Sequence, residues 1–242
     1  LPMITAMQHS VNLSAAHAIT QFTSPDSVVE FANRLGIKSA LKSFPSIALG
    51  TAEVNPLDMA SSFSVFAAYG NYVEPFTIKK IEDKNGRIIF ESKTDTISVT
   101  DSATAYLMTM MLETAVDSGT ATSVRKYYKG TAAGKTGTTQ NSTDAWFVGY
   151  NPHLSTAVWI GYDDPKKKLS GGFQYGGSAC APVWARMMND IANLVPGFFL
   201  DVFIMPGSVD YRMLCTESGE RAVNDCINVG YFPVNTTPPV ID

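Results

Sequence analysis

Two short segments of the 242-residue chain hold residue types with chemistry in them. The first is Lys135-Thr136-Gly137-Thr138-Thr139, which follows Gly134 and leads into a polar loop. On a strand, hydroxyls at i and i+2 point the same way, a glycine lets a ligand's backbone approach, and the lysine adds positive charge. Such a set suits an anion, because hydrogen bonds to a charged carboxylate contribute roughly 1.5–3 kcal/mol each. With 12 Lys, 22 Thr and 18 Gly, a Lys-Thr-Gly triplet arises by chance about 0.08 times. It therefore stands out from an ordinary polar edge strand without deciding a function. The second segment is Ser10-Val11-Asn12, ahead of a helical pattern over 13–22. A serine hydroxyl can pass a proton, and an asparagine amide can hold a peptide group by both donor and acceptor. About one Ser-x-Asn is expected by chance and one is found, so alone it fits a helix cap equally well.

The elements that must position these residues follow from local punctuation. Ser24-Pro25-Asp26 opens a helix with a serine cap, a proline at the first helical position and an acid at the positive end. Val28, Phe31, Ala32 and Leu35 recur at helical spacing and Gly36 stops them. Asn55-Pro56 repeats the device ahead of Met59, Phe63, Phe66 and Ala67, and Thr100-Asp101 caps a helix containing Tyr106, Met110 and Leu112. Asn85-Gly86, between β-rich runs at 76–81 and 87–91, marks a hairpin. Residues 134–139, 144–150 and 154–162 read as three strands of an antiparallel meander. Trp146, Phe147 and Trp159 fall on these strands and are expected in the sheet core, not as ligand stackers. After a Gly/Ser stretch at 170–178, a helix is expected from about Pro182 to Leu194. The order of elements predicts an α+β fold with helices packed on an antiparallel sheet, in a domain over 1–194. Beyond Pro196-Gly197 the pattern dissolves, and 195–242 is expected to be a tail that docks on the domain or leads elsewhere.

Composition narrows the classes of function. At 45% hydrophobic and 17% charged residues the chain can bury a sizeable core and is not of disordered type. A net charge of −4 argues against a nucleic-acid or anionic-membrane binder, both of which need a basic face. No apolar run reaches the roughly 18 residues of a membrane span, and no signal peptide is visible. The chain begins at Leu1 rather than Met, so it reads as a fragment whose address would lie upstream. His9, His17 and His153 lack ligand spacing and there is no Cys-x-x-Cys, so neither a metal nor another cofactor is expected. Cys215 and Cys226 flank a short polar stretch and are either bridged, as in an oxidising compartment, or two thiols; Cys180 stands alone.

Together the two segments resemble two of the three signature motifs of the penicillin-binding protein and serine β-lactamase superfamily. Gly134-Lys-Thr-Gly-Thr-Thr139, Asp144-Ala-Trp-Phe-Val-Gly-Tyr150, Ala157-Val-Trp-Ile-Gly-Tyr162 and Asn55-Pro-Leu-Asp-Met-Ala60 with Tyr69-Gly-Asn71 resemble the transpeptidase domain of class A (bifunctional) penicillin-binding proteins. The resemblance runs over about residues 1–194. It implies a serine β-lactamase-like fold, incomplete at its N-terminus, and a D-Ala-D-Ala transpeptidase that cross-links peptidoglycan. By motif match Ser10 and Lys135 belong to the proton-relay group, Asn12 holds the substrate amide, and the Thr136 and Thr138 hydroxyls bind the terminal carboxylate. Gly137 gives close approach, and the Thr138 N–H is an oxyanion donor. The resemblance also implies stem peptides and β-lactams as ligands. It places the domain outside the cytoplasm on a membrane-anchored parent with a glycosyltransferase domain, and leaves room for cell-wall synthesis proteins as partners.

The third motif, Ser-x-x-Lys, is missing ahead of Ser10. Ser39-Ala-Leu-Lys42 and Ser123-Val-Arg-Lys126 match it, but about one match is expected by chance and both come in the wrong order. They are taken as coincidences, the nucleophile is expected on sequence outside the chain, and the chain alone is expected to be inactive. The motifs are shared with carboxypeptidases and β-lactamases, so a hydrolase stays open. The missing serine keeps a non-catalytic binding module open as well.

Overall fold

The structure is a computed structural model that describes residues 2–139, 141–164, 166–198, 200–215 and 229–235. Its helices are α1 (Met3–Gln8), α2 (Asn12–Gln21), α3 (Pro25–Arg34), α4 (Pro56–Ala67), α5 (Ser102–Asp117) and α6 (Gly176–Leu194). Three start where a polar side chain takes an otherwise orphaned first-turn N–H. Ser24 Oγ accepts from Ser27 N at 3.1 Å, Asn55 Oδ1 from Asp58 N at 2.8 Å, and Asp101 Oδ1 from Thr104 N at 2.9 Å.

The strands are β1 (Asn71–Val73), β2 (Lys80–Glu82), β3 (Ile88–Glu91), β4 (Thr96–Ser98), β5 (Ala133–Thr138), β6 (Asp144–Tyr150), β7 (Ser155–Gly161), β8 (Val209–Cys215) and β9 (Val229–Asn235). All pairings are antiparallel: β1 with β4, β2 with β3, β8 with β9, and the central meander in the order β5-β6-β7. Alternation along β6 sends Phe147 to one face and Tyr150 to the other. On the first face Trp184 of α6 is 0% exposed. Its ring lies 5.4 Å from that of Phe147 and 5.8 Å from that of Tyr128, and its Nε1 donates to Gly149 O at 3.2 Å. On the second face α5 lies along β5 and α4 along β7. There Tyr150 packs edge-on against Phe63 and Phe203 and shares a 2.9 Å hydrogen bond with Thr109. Each such buried aromatic contributes roughly 1.5–3 kcal/mol. The result is an α+β arrangement in which β5 is an outer strand of the meander and, among the described residues, pairs only with β6.

Three expectations are corrected. The last helix starts at Gly176, six residues before Pro182, which sits inside it. The glycines that read as loop are there because α6 starts against main chain. A Cβ on Gly176 would come 2.0 Å from Trp146 O, and one on Gly177 2.3 Å from Thr120 O. Trp159 is not core: it is 38% exposed, lies beside the half-buried Trp146, and donates from Nε1 to Asp144 Oδ1 at 2.8 Å. It stands on β7, which has only one neighbour in the described sheet, and a carboxylate satisfies its polar edge. Only Phe147 of the three aromatics is fully buried. Finally, the stretch after residue 195 has pattern after all. Phe203 packs on Tyr150, Ile204 N donates to Tyr69 Oη at 2.6 Å, and β8 pairs with β9.

Cys215 is buried and disulfide-bonded, while Cys226, the other cysteine of the candidate bridge, lies outside the described residues. Cys180 is a free, buried thiol that donates to Ala145 O. Among the described residues no helix is long and apolar enough to cross a membrane, and no cluster of three His, Cys, Asp or Glu exists.

Candidate active site

Ser10 occupies the tight turn between α1 and α2 with φ at 55°, the left-handed region that non-glycine residues seldom visit. Its N–H returns to Met7 O and that of Val11 to Ala6 O, closing α1. The turn is tied to the loop after α5: Gln8 Nε2 donates to Ser118 O and Oγ at 3.0 and 2.8 Å, and Thr120 N donates to Gln8 O at 3.2 Å. These bonds hold Ser10 Oγ 2.8 Å from Lys135 Nζ, across 125 residues of sequence.

Lys135 is the third residue of β5, opposite Val148, and projects from the α5 face of the sheet. Its ammonium donates to Ser10 Oγ and, at 3.1 Å, to Thr136 O. Burial pushes its pKa down to about 8, since desolvation penalises the charged form. A lysine so placed can either donate to the serine or accept its proton near neutral pH.

Thr136 and Thr138 point to the other face, where their cross-strand partners are Phe147 and Ala145. Thr136 Oγ1 shares a 2.8 Å hydrogen bond with Thr120 Oγ1, and Thr138 Oγ1 accepts from Gly176 N at 3.2 Å. Because β5 is an outer strand, groups from its two faces meet around its edge. Ser10, Thr120, Thr136 and Thr138 line one cavity of about 740 Å³, and Lys135 meets that cavity through Ser10. The assembled groups are one serine hydroxyl with a partly desolvated amine beside it, and two threonine hydroxyls further along. That arrangement can shuttle a proton at one end and hold an anion at the other.

The remaining candidates are placed differently. Asn12 is the exposed first residue of α2 and does not line the cavity. Gly137 faces Trp146, whose Cβ would stand 3.1 Å from a Cβ added there, so an indole takes up the space it leaves. Ser39 donates to Asp58 Oδ2 at 3.2 Å, away from the cavity. Ser123 and Lys126 do line the cavity, but the Ser123 hydroxyl donates to Gly177 O instead of to the lysine. Thr120 went unnoticed in the sequence, and Ser123 was noticed only as a chance Ser-x-x-Lys match. Their place depends on how the loop after α5 packs on the start of α6, which local spacing does not encode.

Residues 2–189 match the penicillin binding protein transpeptidase domain family. The chain is 36% identical over 191 residues to penicillin-binding protein 1A of Aquifex aeolicus, covering 79% of this chain and 26% of that protein. It is 38% identical over 174 residues to penicillin-binding protein 1A of Neisseria lactamica, covering 69% and 22%. It thus spans about a quarter of the length of these relatives. Among solved structures, penicillin-binding protein 1A from Haemophilus influenzae superposes with a TM-score of 0.85 at 26% identity, over 98% of this chain and 40% of that one. The PonA1 protein of Mycobacterium tuberculosis in complex with penicillin V does so with a TM-score of 0.72 at 26% identity, over 84% and 58%. With the serine, lysine and threonines gathered at one strand edge and the family match covering most of its length, the chain belongs to the penicillin-binding protein transpeptidase domain family.

Proposed function

We propose that this chain forms the substrate-gripping part of a serine D-Ala-D-Ala transpeptidase that cross-links peptidoglycan stem peptides and is acylated by β-lactams. The observation that carries this reading is the 2.8 Å contact between Lys135 Nζ and Ser10 Oγ, on a cavity that also holds the Thr136 and Thr138 hydroxyls. The threonines take the peptide's terminal carboxylate. The acylated serine lies outside residues 1–242 and is neither Ser39 nor Ser123. Its hydroxyl proton passes to a base that also lies outside residues 1–242 as its oxygen bonds to the carbonyl carbon of the penultimate D-Ala, the peptide C–N bond breaks, and the terminal D-Ala leaves as an amine. Ser10 passes a proton to that amine and is resupplied from Lys135, whose lowered pKa suits the exchange. An acceptor amine then takes the acyl group and the serine recovers its proton. The Thr138 N–H serves as an oxyanion donor, and Asn12 turns toward the substrate amide once a ligand is bound. Hydrolysis would use the same residues; the 36% identity to a penicillin-binding protein 1A favours transfer. The complex of a relative with penicillin V supports β-lactam binding. The site works outside the cytoplasmic membrane, a location that suits a disulfide at Cys215.

The test is Lys135→Ala in the full-length protein. Acylation by a fluorescent penicillin is expected to fall about a hundredfold with the melting temperature within a few degrees of the parent. Undiminished labelling, or label found on Ser39 or Ser123 by peptide mass spectrometry, would contradict the assignment.

A further inference from the structure

The cavity does not end at the threonines. It continues between the 3₁₀ turn Thr122–Lys126 and the first half of α6, where Lys126, Tyr127, Pro182 and Arg186 form its walls. The cations of this region differ in their partners. Arg125 is spoken for: it pairs with Asp117 at 2.5 Å and donates to Gly130 O at 2.6 Å. Lys126 is exposed and, among the described residues, has no acidic partner. Arg186 is oriented but not neutralised. Its guanidinium lies 4.4 Å from the centre of the Tyr127 ring, and Nη2 donates to Tyr127 Oη at 3.0 Å. Stacking of this kind holds the planar fork in place and leaves its other donors free. The Tyr127 phenol is pulled below its ordinary pKa, first by the Arg186 hydrogen bond and charge, and also by Lys126, so both cations act on one spot. Among the described residues no Asp or Glu lines the cavity. Two positive charges therefore face a void far larger than one alanine needs, and the same void is lined by Thr136 and Thr138.

If those threonines hold the terminal carboxylate, the leaving residue that bears it sits in the cavity the two cations share. We infer that Lys126 and Arg186 form an anion subsite for the side chain of the leaving group, so that the enzyme prefers acyl donors whose leaving group bears a second carboxylate. This rests on the transpeptidase reading above and adds a specificity to it.

The experiment compares two thioester donors on the full-length protein, N-benzoyl-D-alanyl thioglycolate and N-benzoyl-D-alanyl mercaptosuccinate. They share the acyl group and the scissile C–S bond; the serine oxygen replaces sulfur on the carbonyl carbon and the thiolate departs. The second thiolate carries one more carboxylate. In the Lys126→Gln/Arg186→Gln variant, kcat/KM for mercaptosuccinate is expected to fall about tenfold, while thioglycolate and penicillin acylation stay within about twofold. Raising salt from about 0.05 to 0.5 M should erode the parent's preference in the same direction. Both side chains are exposed, so folding is not at stake, and a matched melting temperature would verify that. Equal loss on both donors, or no change in their ratio, overturns the subsite. If neither donor nor penicillin acylates the parent, the transpeptidase reading falls and the subsite falls with it.

Discussion

The two halves of the site are built from unlike material. β5 belongs to a dense body in which Trp184, Tyr128, Phe147, Tyr150 and Met188 are all fully buried. The helices that present Ser10 are thinly packed: α1 buries only Ala6 and α2 only Ile19, while Leu13 and, just after α2, Phe22 stand exposed. Lys135 is therefore fixed by the sheet, and Ser10 is fixed mainly by the hydrogen bonds of Gln8 to the loop after α5. The lesson is that a contact spanning 125 residues owes its rigidity to one side and its adjustability to the other.

The contrast can be broken or sharpened by substitution. The largest effect is expected from Trp184→Ala, which empties the centre of the dense half and should lower unfolding free energy by about 3–5 kcal/mol in urea titrations. A loss under about 1 kcal/mol would mean the two halves do not differ. Next comes Glu113→Gln on α5. Burial, reinforced by the charge of Asp117 and eased by Arg125, raises the Glu113 pKa to about 7 from 4.5. The folded state then binds the extra proton more tightly than the unfolded state between those values. Stability is fullest below about pH 4.5 and declines as pH rises through 7. The glutamine variant should match the parent at pH 4 and exceed it by about 2–3 kcal/mol at pH 8. A variant equally displaced at both pH values would show that the α5 face is wetter than described. The smallest effect belongs to Gln8→Ala, about 1 kcal/mol. Hydrogen exchange should quicken in α1 and α2 and stay unchanged in β5 to β7; quickening across the sheet would join the halves into one unit.

Much of the frame was legible from local chemistry. Ser24, Asn55 and Asp101 cap helices where their side chains allow it, and runs rich in Trp, Phe, Val and Ile marked β6 and β7. The meeting of Ser10 with Lys135 was not legible from spacing and rested on family resemblance. Where reading failed, a long-range contact had overridden a local signal. Gly176 and Gly177 look like loop because glycine is a poor helix former, yet two backbone oxygens leave no room for anything else. Trp159 looks like core because it is large, yet its strand is an outer one and its indole answers to Asp144. Lys126 and Arg186 are sixty positions apart and carry no shared motif, so only the packing of α6 on the 122–126 turn reveals them as neighbours.

The two glycines at the head of α6 also set the gauge of the cleft. One rests on main chain next to the threonine strand and the other on main chain of the loop that anchors Ser10. The opening between those walls is consequently dimensioned by backbone, and exchanges of the side chains around it leave its width alone. A single methyl group at either glycine would instead act as a wedge and part the jaws of the site without touching any residue that handles the ligand.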